Sequence, residues 1–192
     1  FSGKLGEQIF VEEAGDAGRV AYTGRNALVF RDMSDATSVG LRSVPLPASP
    51  GEEYTASVYV FCQAGSKAQL YLDYWNKDSK RIQARHVTST RTNEWEKITV
   101  TFKAPPETVS VSIILYSQPA NVGVVRFDEA SLINTADLGA WMQEAGAGGG
   151  RGDREVGGIA AAMEFQVAED TLDYRPAANS IVTTNPPSFI WV

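Results

Sequence analysis

Apolar and polar residues alternate with a period of two through most of the first 135 residues. Successive residues of a β-strand point to opposite faces, so this pattern predicts strands that each bury one face. Clusters of Gly, Pro, Asn, Asp and Ser separate the runs at the spacing of about 8 to 12 residues that is typical of an all-β sandwich or barrel. We predict strands over residues 19–31 (interrupted at Thr23-Gly24), 38–45, 53–63, 67–75, 81–88, 95–103, 108–117 and 123–133.

Three of these strands have regular apolar faces, which we expect to form the core. Their apolar residues are Tyr54, Ala56, Val58, Val60 and Cys62 in the first, Ile98, Val100 and Phe102 in the second, and Val109, Val111, Ile113 and Leu115 in the third. About 135 residues can bury such a core without disulfides or metal ions. The predicted fold class is therefore all-β: a two-sheet antiparallel β-sandwich, followed by a Gly-rich linker and a short C-terminal extension.

The composition of the chain changes after residue 135. Residues 143–158, QEAGAGGGRGDREVGG, offer almost nothing to bury and are typical of a flexible linker. The first 135 residues carry 14 basic and 15 acidic residues, a net charge of −1, whereas the remainder carries 3 and 8, a net charge of −5. We predict three parts: a sandwich over 1–135, a linker over 136–158 and the start of a following domain over 159–192.

Composition also excludes several function classes. The net charge of −6 argues against a general nucleic-acid binder, which needs a basic surface for the phosphates. A single histidine, His86, and a single cysteine, Cys62, exclude a Cys/His zinc site and a disulfide within the chain. No apolar run approaches the roughly 20 residues that span a bilayer, so we expect no membrane partner. Phe1 has no charged and apolar leader before it, and we expect any export signal to have been removed or not included.

One predicted strand carries large side chains on both faces. In AQLYLDYWN, the face opposite the apolar set Leu70, Leu72 and Tyr74 presents Tyr71, Asp73 and Trp75. Aromatic rings can stack on the apolar faces of sugars, and planar polar groups can pair with their hydroxyls. This face is therefore a candidate carbohydrate-binding surface.

Neighbouring strands should add outward residues to this face, namely Ser112, Tyr116, Arg42, Gln83 and Arg85. A guanidinium binds a carboxylate through two N–H groups, so Arg42 and Arg85, together with Arg81, would suit a uronate. The residues leave an alternative open, in which Tyr71 and Trp75 are rim aromatics covered by a loop and Arg42 pairs with a surface aspartate.

Other residues that could carry chemistry have simpler interpretations. Tyr59 and Phe61 also point away from the core, and we favour packing over sugar contact for both. His86 is interpreted as a strand residue at a sheet edge. The paired acids of a glycosidase must converge in a cleft, whereas the acidic pairs of this chain are adjacent in sequence and do not converge: Glu12-Glu13, Glu52-Glu53 and Asp128-Glu129. We predict no catalytic residue, and so no enzyme activity of this chain alone.

Four short motifs follow one another in a characteristic order: Gly24 to Leu28, Pro50-Gly51 with Tyr54, Trp95, and Phe127-Asp128 with Leu132. In order and spacing, residues 1–134 resemble the jelly-roll carbohydrate-binding modules of the xylan- and glucan-binding type. The resemblance implies a non-catalytic module that binds a plant, algal or acidic glycan and requires no cofactor.

The resemblance also marks one candidate metal ligand. Modules of this type often hold a structural calcium between their chain ends, which makes Asp128 a candidate ligand. Calcium takes six to eight oxygen ligands, and Ser2 stands where the resembling modules have a glutamate. The alternative for Asp128 is a capping or turn aspartate.

The end of the chain resembles a different family. Its pattern comprises Arg175-Pro176, Val182, Thr184 to Phe189 and Trp191, and is similar to the entry into the catalytic part of heparinase II/III-type polysaccharide lyases, including alginate-lyase-like members. This implies a secreted or periplasmic enzyme whose catalytic residues lie beyond Val192. We expect the sandwich to target that attached enzyme to its glycan; the alternative is a structural sandwich that packs on the lyase domain and stabilises it without binding sugar.

Overall fold

The computed structural model describes residues 3–13 and 20–135 with their side chains, and three later strands by their backbone alone. The predicted linker over 136–158 lies outside the described residues. The later strands, β11 (Met163–Ala168), β12 (Thr171–Pro176) and β13 (Ile190–Trp191), pair antiparallel in that order. Among the described residues, no helix has the length and apolar character needed to cross a membrane.

Two antiparallel sheets form the sandwich, as the sequence predicts. Sheet I has the strand order β1-β2-β10-β5-β8, with bounds Ile9–Glu13, Asn26–Asp32, Gly123–Asn134, Glu53–Cys62 and Trp95–Lys103. Sheet II has the order β3-β9-β6-β7, with bounds Val39–Arg42, Ser110–Ser117, Gln69–Trp75 and Arg81–Thr88, and the short β4 (Leu46–Pro47) also pairs with β9. The predicted all-β fold class is confirmed.

The core lies between the two sheets. Leu70, Leu72 and Tyr74 of β6 are fully buried there, and the hydroxyl of Tyr74 donates a hydrogen bond of 2.6 Å to the carbonyl oxygen of Phe102 in the opposite sheet. Val109 was predicted to share this core, and that prediction is wrong. It is 47% exposed, because β9 begins only at Ser110.

Two further differences concern the beginning of the chain. The strand predicted over 19–31 starts only at Asn26, and residues 20–25 form a loop that lies over the outer side of sheet I. Tyr22 of this loop stacks on Tyr59, with ring centroids 3.6 Å apart. Strand β1, a five-residue strand at the edge of sheet I that pairs with β2, is not predicted by the sequence pattern. Its single fully buried residue, Ile9, is too little to create a visible alternation.

The Tyr74 hydroxyl gives a test of the packing between the sheets. We expect Tyr74→Phe to lower the free energy of unfolding by about 1–2 kcal/mol, because a part-buried carbonyl loses its donor while the ring still fills the core. Urea unfolding would measure the change. Tyr71→Phe is the matched control, since that hydroxyl is only half-buried and lies 3.5 Å from its acceptor, Gln69. Equal losses in the two variants would contradict the assignment.

Candidate functional site

The pairing register defines the outer face of sheet II, the side opposite the core. Tyr71 of β6 pairs with Ile114 and His86, Asp73 with Ser112 and Ala84, and Trp75 with Ser110 and Arg81. On β3, Gly40 pairs with Tyr116, and Arg42 pairs with Ile114. The predicted set Tyr71, Asp73, Trp75, Tyr116, Ser112 and Arg42 therefore lies on one surface.

Asp73 lies at the floor of this face. Its side chain is fully buried, and its register neighbours Ser112 and Ala84 are small. Oδ2 lies 3.3 Å from Nη1 of Arg81, whereas Oδ1 has no hydrogen-bond partner among the described residues. Burial raises the pKa of Asp73, although the charges of Arg81 and Arg42 act in the opposite direction. A buried acceptor without a donor costs about 1–3 kcal/mol, so this oxygen is an unsatisfied polar atom of the face.

Trp75 is fixed on the face by two contacts. Its Nε1–H donates to Oγ of Ser112 at 2.9 Å, and Cζ of Arg42 lies 4.8 Å from the ring centroid. The open stacking platform predicted for Trp75 is therefore covered on one side by a guanidinium. The alternative in which Arg42 pairs with a surface aspartate is not what the structure shows, since no ion pair joins Arg42 to any described residue.

A second row of rings crosses the same face. Tyr71 stacks on His86 with centroids 4.8 Å apart and meets Tyr116 edge-to-face at 5.7 Å. Gly40 makes room for Tyr116, because a Cβ at this position would lie 2.8 Å from Cδ2 of the ring. The interpretation of His86 as an edge-strand residue agrees with its place on β7. His86 pairs opposite Tyr71 in the β6–β7 hairpin. Aligning the two predicted strands as a hairpin could therefore have placed the imidazole beside this ring.

Gln83 and Arg85 do not belong to the outer face, contrary to the prediction. They pair with Tyr74 and Leu72, whose side chains point into the core. Arg85 accordingly places its Cζ 4.2 Å from the ring centroid of Phe102 in sheet I. The error arises because the apolar residues of β7, Ile82, Ala84 and Val87, do not alternate regularly.

A β-bulge brings Arg81 onto the outer face instead. Between Tyr74 and Trp75 the register shifts by one residue, so that Trp75 pairs with Arg81. The preceding turn is closed by Asn76, whose Oδ1 accepts hydrogen bonds from the backbone N–H groups of Asp78 and Lys80, both at 3.0 Å. The length of this turn therefore decides which residue stands beside Asp73.

Asp128 anchors a loop on the other sheet. Oδ2 accepts the N–H of Thr23 at 2.9 Å, and Oδ1 accepts the N–H of Glu129 at 2.8 Å, beside a bulge in β10. Burial raises the pKa of Asp128 to about 6. Because backbone N–H donors occupy both oxygens, the surroundings do not fit the predicted calcium ligand. The described residues also contain no group of three His, Cys, Asp or Glu side chains that could hold a metal ion.

The outer side of sheet I carries a separate aromatic cluster. Tyr59 stacks under Tyr22, and Phe61 lies 5.7 Å from Trp95. Lys97 lies 5.5 Å from the Tyr59 ring centroid. Tyr59 and Phe61 therefore pack against their neighbours, in agreement with the packing interpretation.

An open groove of about 460 Å³ lies at one end of the sandwich, between β4, β9 and the end of β10. Apolar residues such as Leu46 and Leu132 line it, beside Glu52. Oε2 of Glu52 accepts hydrogen bonds from the hydroxyl of Tyr54 at 2.7 Å and from Nδ2 of Asn134 at 3.0 Å. Its Oε2 atom thus already has two donors, whereas Oδ1 of Asp73 has none among the described residues.

The comparison with known families decides the class of the chain. A family described as a carbohydrate binding domain matches residues 9–121, which run from β1 past the end of β9. The chain belongs to this carbohydrate-binding domain family. The matched range includes the whole outer face of sheet II, from Gly40 to Tyr116. A search of curated proteins finds no match.

Solved structures share the fold of this carbohydrate-binding domain. One is the enzymatically active domain of tailspike protein 4 from bacteriophage CBA120, with a TM-score of 0.52 and 9% identity over 65% of this chain and 17% of that one. Another comprises the CBM22-1 and GH10 modules of xylanase 10B from Clostridium thermocellum in complex with xylohexaose, with a TM-score of 0.50 and 16% identity over 68% of this chain and 25% of that one. The chain thus spans a quarter or less of either structure, and the similarity shows the fold alone.

The raised pKa of Asp128 predicts a pH dependence of stability. Its folded pKa of about 6 exceeds the ordinary 3.8, so the folded state binds this proton more tightly than the unfolded state. The stability that protonation contributes is fully present below pH 3.8 and is lost as the pH rises through about 6. Relative to Asp128→Asn, the wild type should gain at most about 3 kcal/mol between pH 7 and pH 4. Urea unfolding of both proteins over this range would measure it, and a pH-independent difference would refute it.

Proposed function

We propose that this chain is a non-catalytic carbohydrate-binding module that binds its glycan on the outer face of sheet II. One observation carries the assignment to this face. Asp73 is a fully buried carboxylate with an unpartnered oxygen, at the centre of a surface that also presents Tyr71, Tyr116 and Trp75. Membership of the carbohydrate-binding domain family supplies the ligand class.

Each residue of this face would make a different contact with the sugar. A sugar hydroxyl would donate a hydrogen bond to Oδ1 of Asp73, which lacks a donor in the part of the chain that the structure describes. The Tyr71 and Tyr116 rings, held edge-to-face, would contact the apolar side of a pyranose. The hydrogen bond from Trp75 to Ser112 fixes the indole, so little side-chain freedom would be lost on binding.

The module would serve an attached polysaccharide-degrading enzyme, which we propose to be a polysaccharide lyase. Support comes from the resemblance of residues 175–191 to the heparinase II/III-type lyases and from the Gly-rich composition of 143–158, which suits a tether. Tethering raises the local concentration of substrate at the catalytic domain. A secreted or periplasmic location, where plant or algal polysaccharides are met, follows from the same proposal.

A second candidate function is a structural one, in which the sandwich stabilises the attached domain without binding sugar. It is favoured by the covering of Trp75 by Arg42 and the stacking of His86 on Tyr71, which occupy ring faces that a sugar would use. It predicts that substitutions on the outer face of sheet II leave polysaccharide binding by the whole enzyme unchanged, and that the 192-residue chain alone binds no polysaccharide.

Substitution on the outer face separates the two functions. We expect Tyr71→Ala and Asp73→Asn each to weaken binding of the 192-residue chain to its polysaccharide by about tenfold or more, through loss of a ring contact or of the best acceptor. Affinity electrophoresis against xylan, β-glucan, β-galactan, alginate and heparin would identify the polymer, and calorimetry would give the affinity.

Tyr22→Ala is the matched control, because Tyr22 is a 37% exposed ring in the loop that lies over sheet I. Its binding should equal that of the wild type. Retardation by no polymer would reject the binding function. Retardation that survives both outer-face substitutions would reject this face as the site.

A further inference from the structure

Arg42 presents a fixed guanidinium on the outer face of sheet II. Its Cζ lies 4.8 Å from the centroid of the Trp75 ring, and Trp75 is itself held by its hydrogen bond to Ser112. A guanidinium can stack on a ring through its flat side, which leaves the N–H groups around its edge available to a ligand. Arg42 is exposed, and it makes no ion pair with a described residue. The guanidinium is therefore held in place without an ion-pair partner among the described residues.

The charge balance of this face favours an anionic ligand. The described residues of the face contribute two arginines, Arg42 and Arg81, and a single carboxylate, Asp73. Arg81 already pairs with Asp73 at 3.3 Å, and its side chain is still 51% exposed. One positive charge thus remains uncompensated on a surface that is otherwise aromatic and polar.

We propose that the glycan bound here contains uronic acid residues, and that Arg42 selects a uronate over the corresponding neutral sugar. The inference rests on the proposed function of this face. A guanidinium matches a planar carboxylate with two parallel N–H groups, which a neutral hydroxymethyl group cannot exploit. Strands β3 and β6 are separated only by β9, a backbone distance of about 10 Å. A carboxylate at Arg42 and a hydroxyl at Asp73 can therefore belong to the same sugar or to adjacent ones.

A neutral ligand would use the same residues differently. It would stack on Trp75, and it would first have to displace Arg42 from that ring. Removing the guanidinium should then improve binding or leave it unchanged. Removing it should weaken binding of a uronate. Substitution of Arg42 thus distinguishes a neutral ligand from a uronate, because only the uronate should bind more weakly.

The test compares each acidic polymer with its own neutral form. Alginate and polygalacturonate, each beside its carboxyl-reduced polymer, are titrated into the 192-residue chain. We expect one of the acidic polymers to bind about tenfold or more tightly than its reduced form. Arg42→Gln should abolish this preference while retaining the weaker binding of the reduced polymer. Arg42→Lys should retain only part of the preference, because a lysine ammonium keeps the positive charge but cannot donate two parallel N–H groups to a carboxylate.

Arg31→Gln is the matched control, since Arg31 is an exposed arginine 4.9 Å from the Phe10 ring on sheet I. It should keep the full preference. Equal binding of acidic and reduced polymers by the wild type would overturn the inference and leave the proposed function intact. Dextran sulfate binding as tightly as the polyuronate, with equal losses in both arginine variants, would also overturn it, as general charge attraction. Absence of binding to every polymer would instead reject the proposed function itself.

Discussion

The burial of one side of β6 against sheet I governs the outer face of sheet II. Leu70, Leu72 and Tyr74 are fully enclosed between the sheets. Since side chains alternate along a strand, this packing leaves Tyr71, Asp73 and Trp75 no place except the other side. A shift by one residue would expose the apolar set and move a carboxylate between the sheets, and both changes cost free energy. The core thus holds the candidate site in position although it touches no ligand.

Regular alternation is what made the centre of the site predictable. Both faces of β6 follow from the sequence, as do the outward positions of Ser112, Tyr116 and Arg42. The contacts that these side chains make with one another do not follow from the sequence. Nothing in the sequence states that Arg42 would cover Trp75, because the two residues lie on strands separated by a third. Contacts of that kind depend on strand order, which alternation does not reveal.

The errors arise where local pattern and tertiary contacts disagree. Gln83 and Arg85 were placed on the wrong side because β7 has irregular apolar spacing and begins after a bulge. Asp128 does not fit the role of a calcium ligand, because its carboxylate accepts a hydrogen bond from the backbone of Thr23, 105 positions away in the chain. Both assignments depend on the path of the backbone, and single residue types carry no information about that path.

The bulge at Trp75 has a consequence for how this surface can diversify. Arg81 stands beside Asp73 because the Asn76 turn contains the number of residues that it does, and the next residue along the chain is Ile82. Removing one residue from the turn would bring an aliphatic side chain to the carboxylate without any substitution on the sheet. Ligand preference in such a domain can therefore change through turn length, so relatives aligned without gaps in this hairpin would be compared at the wrong positions.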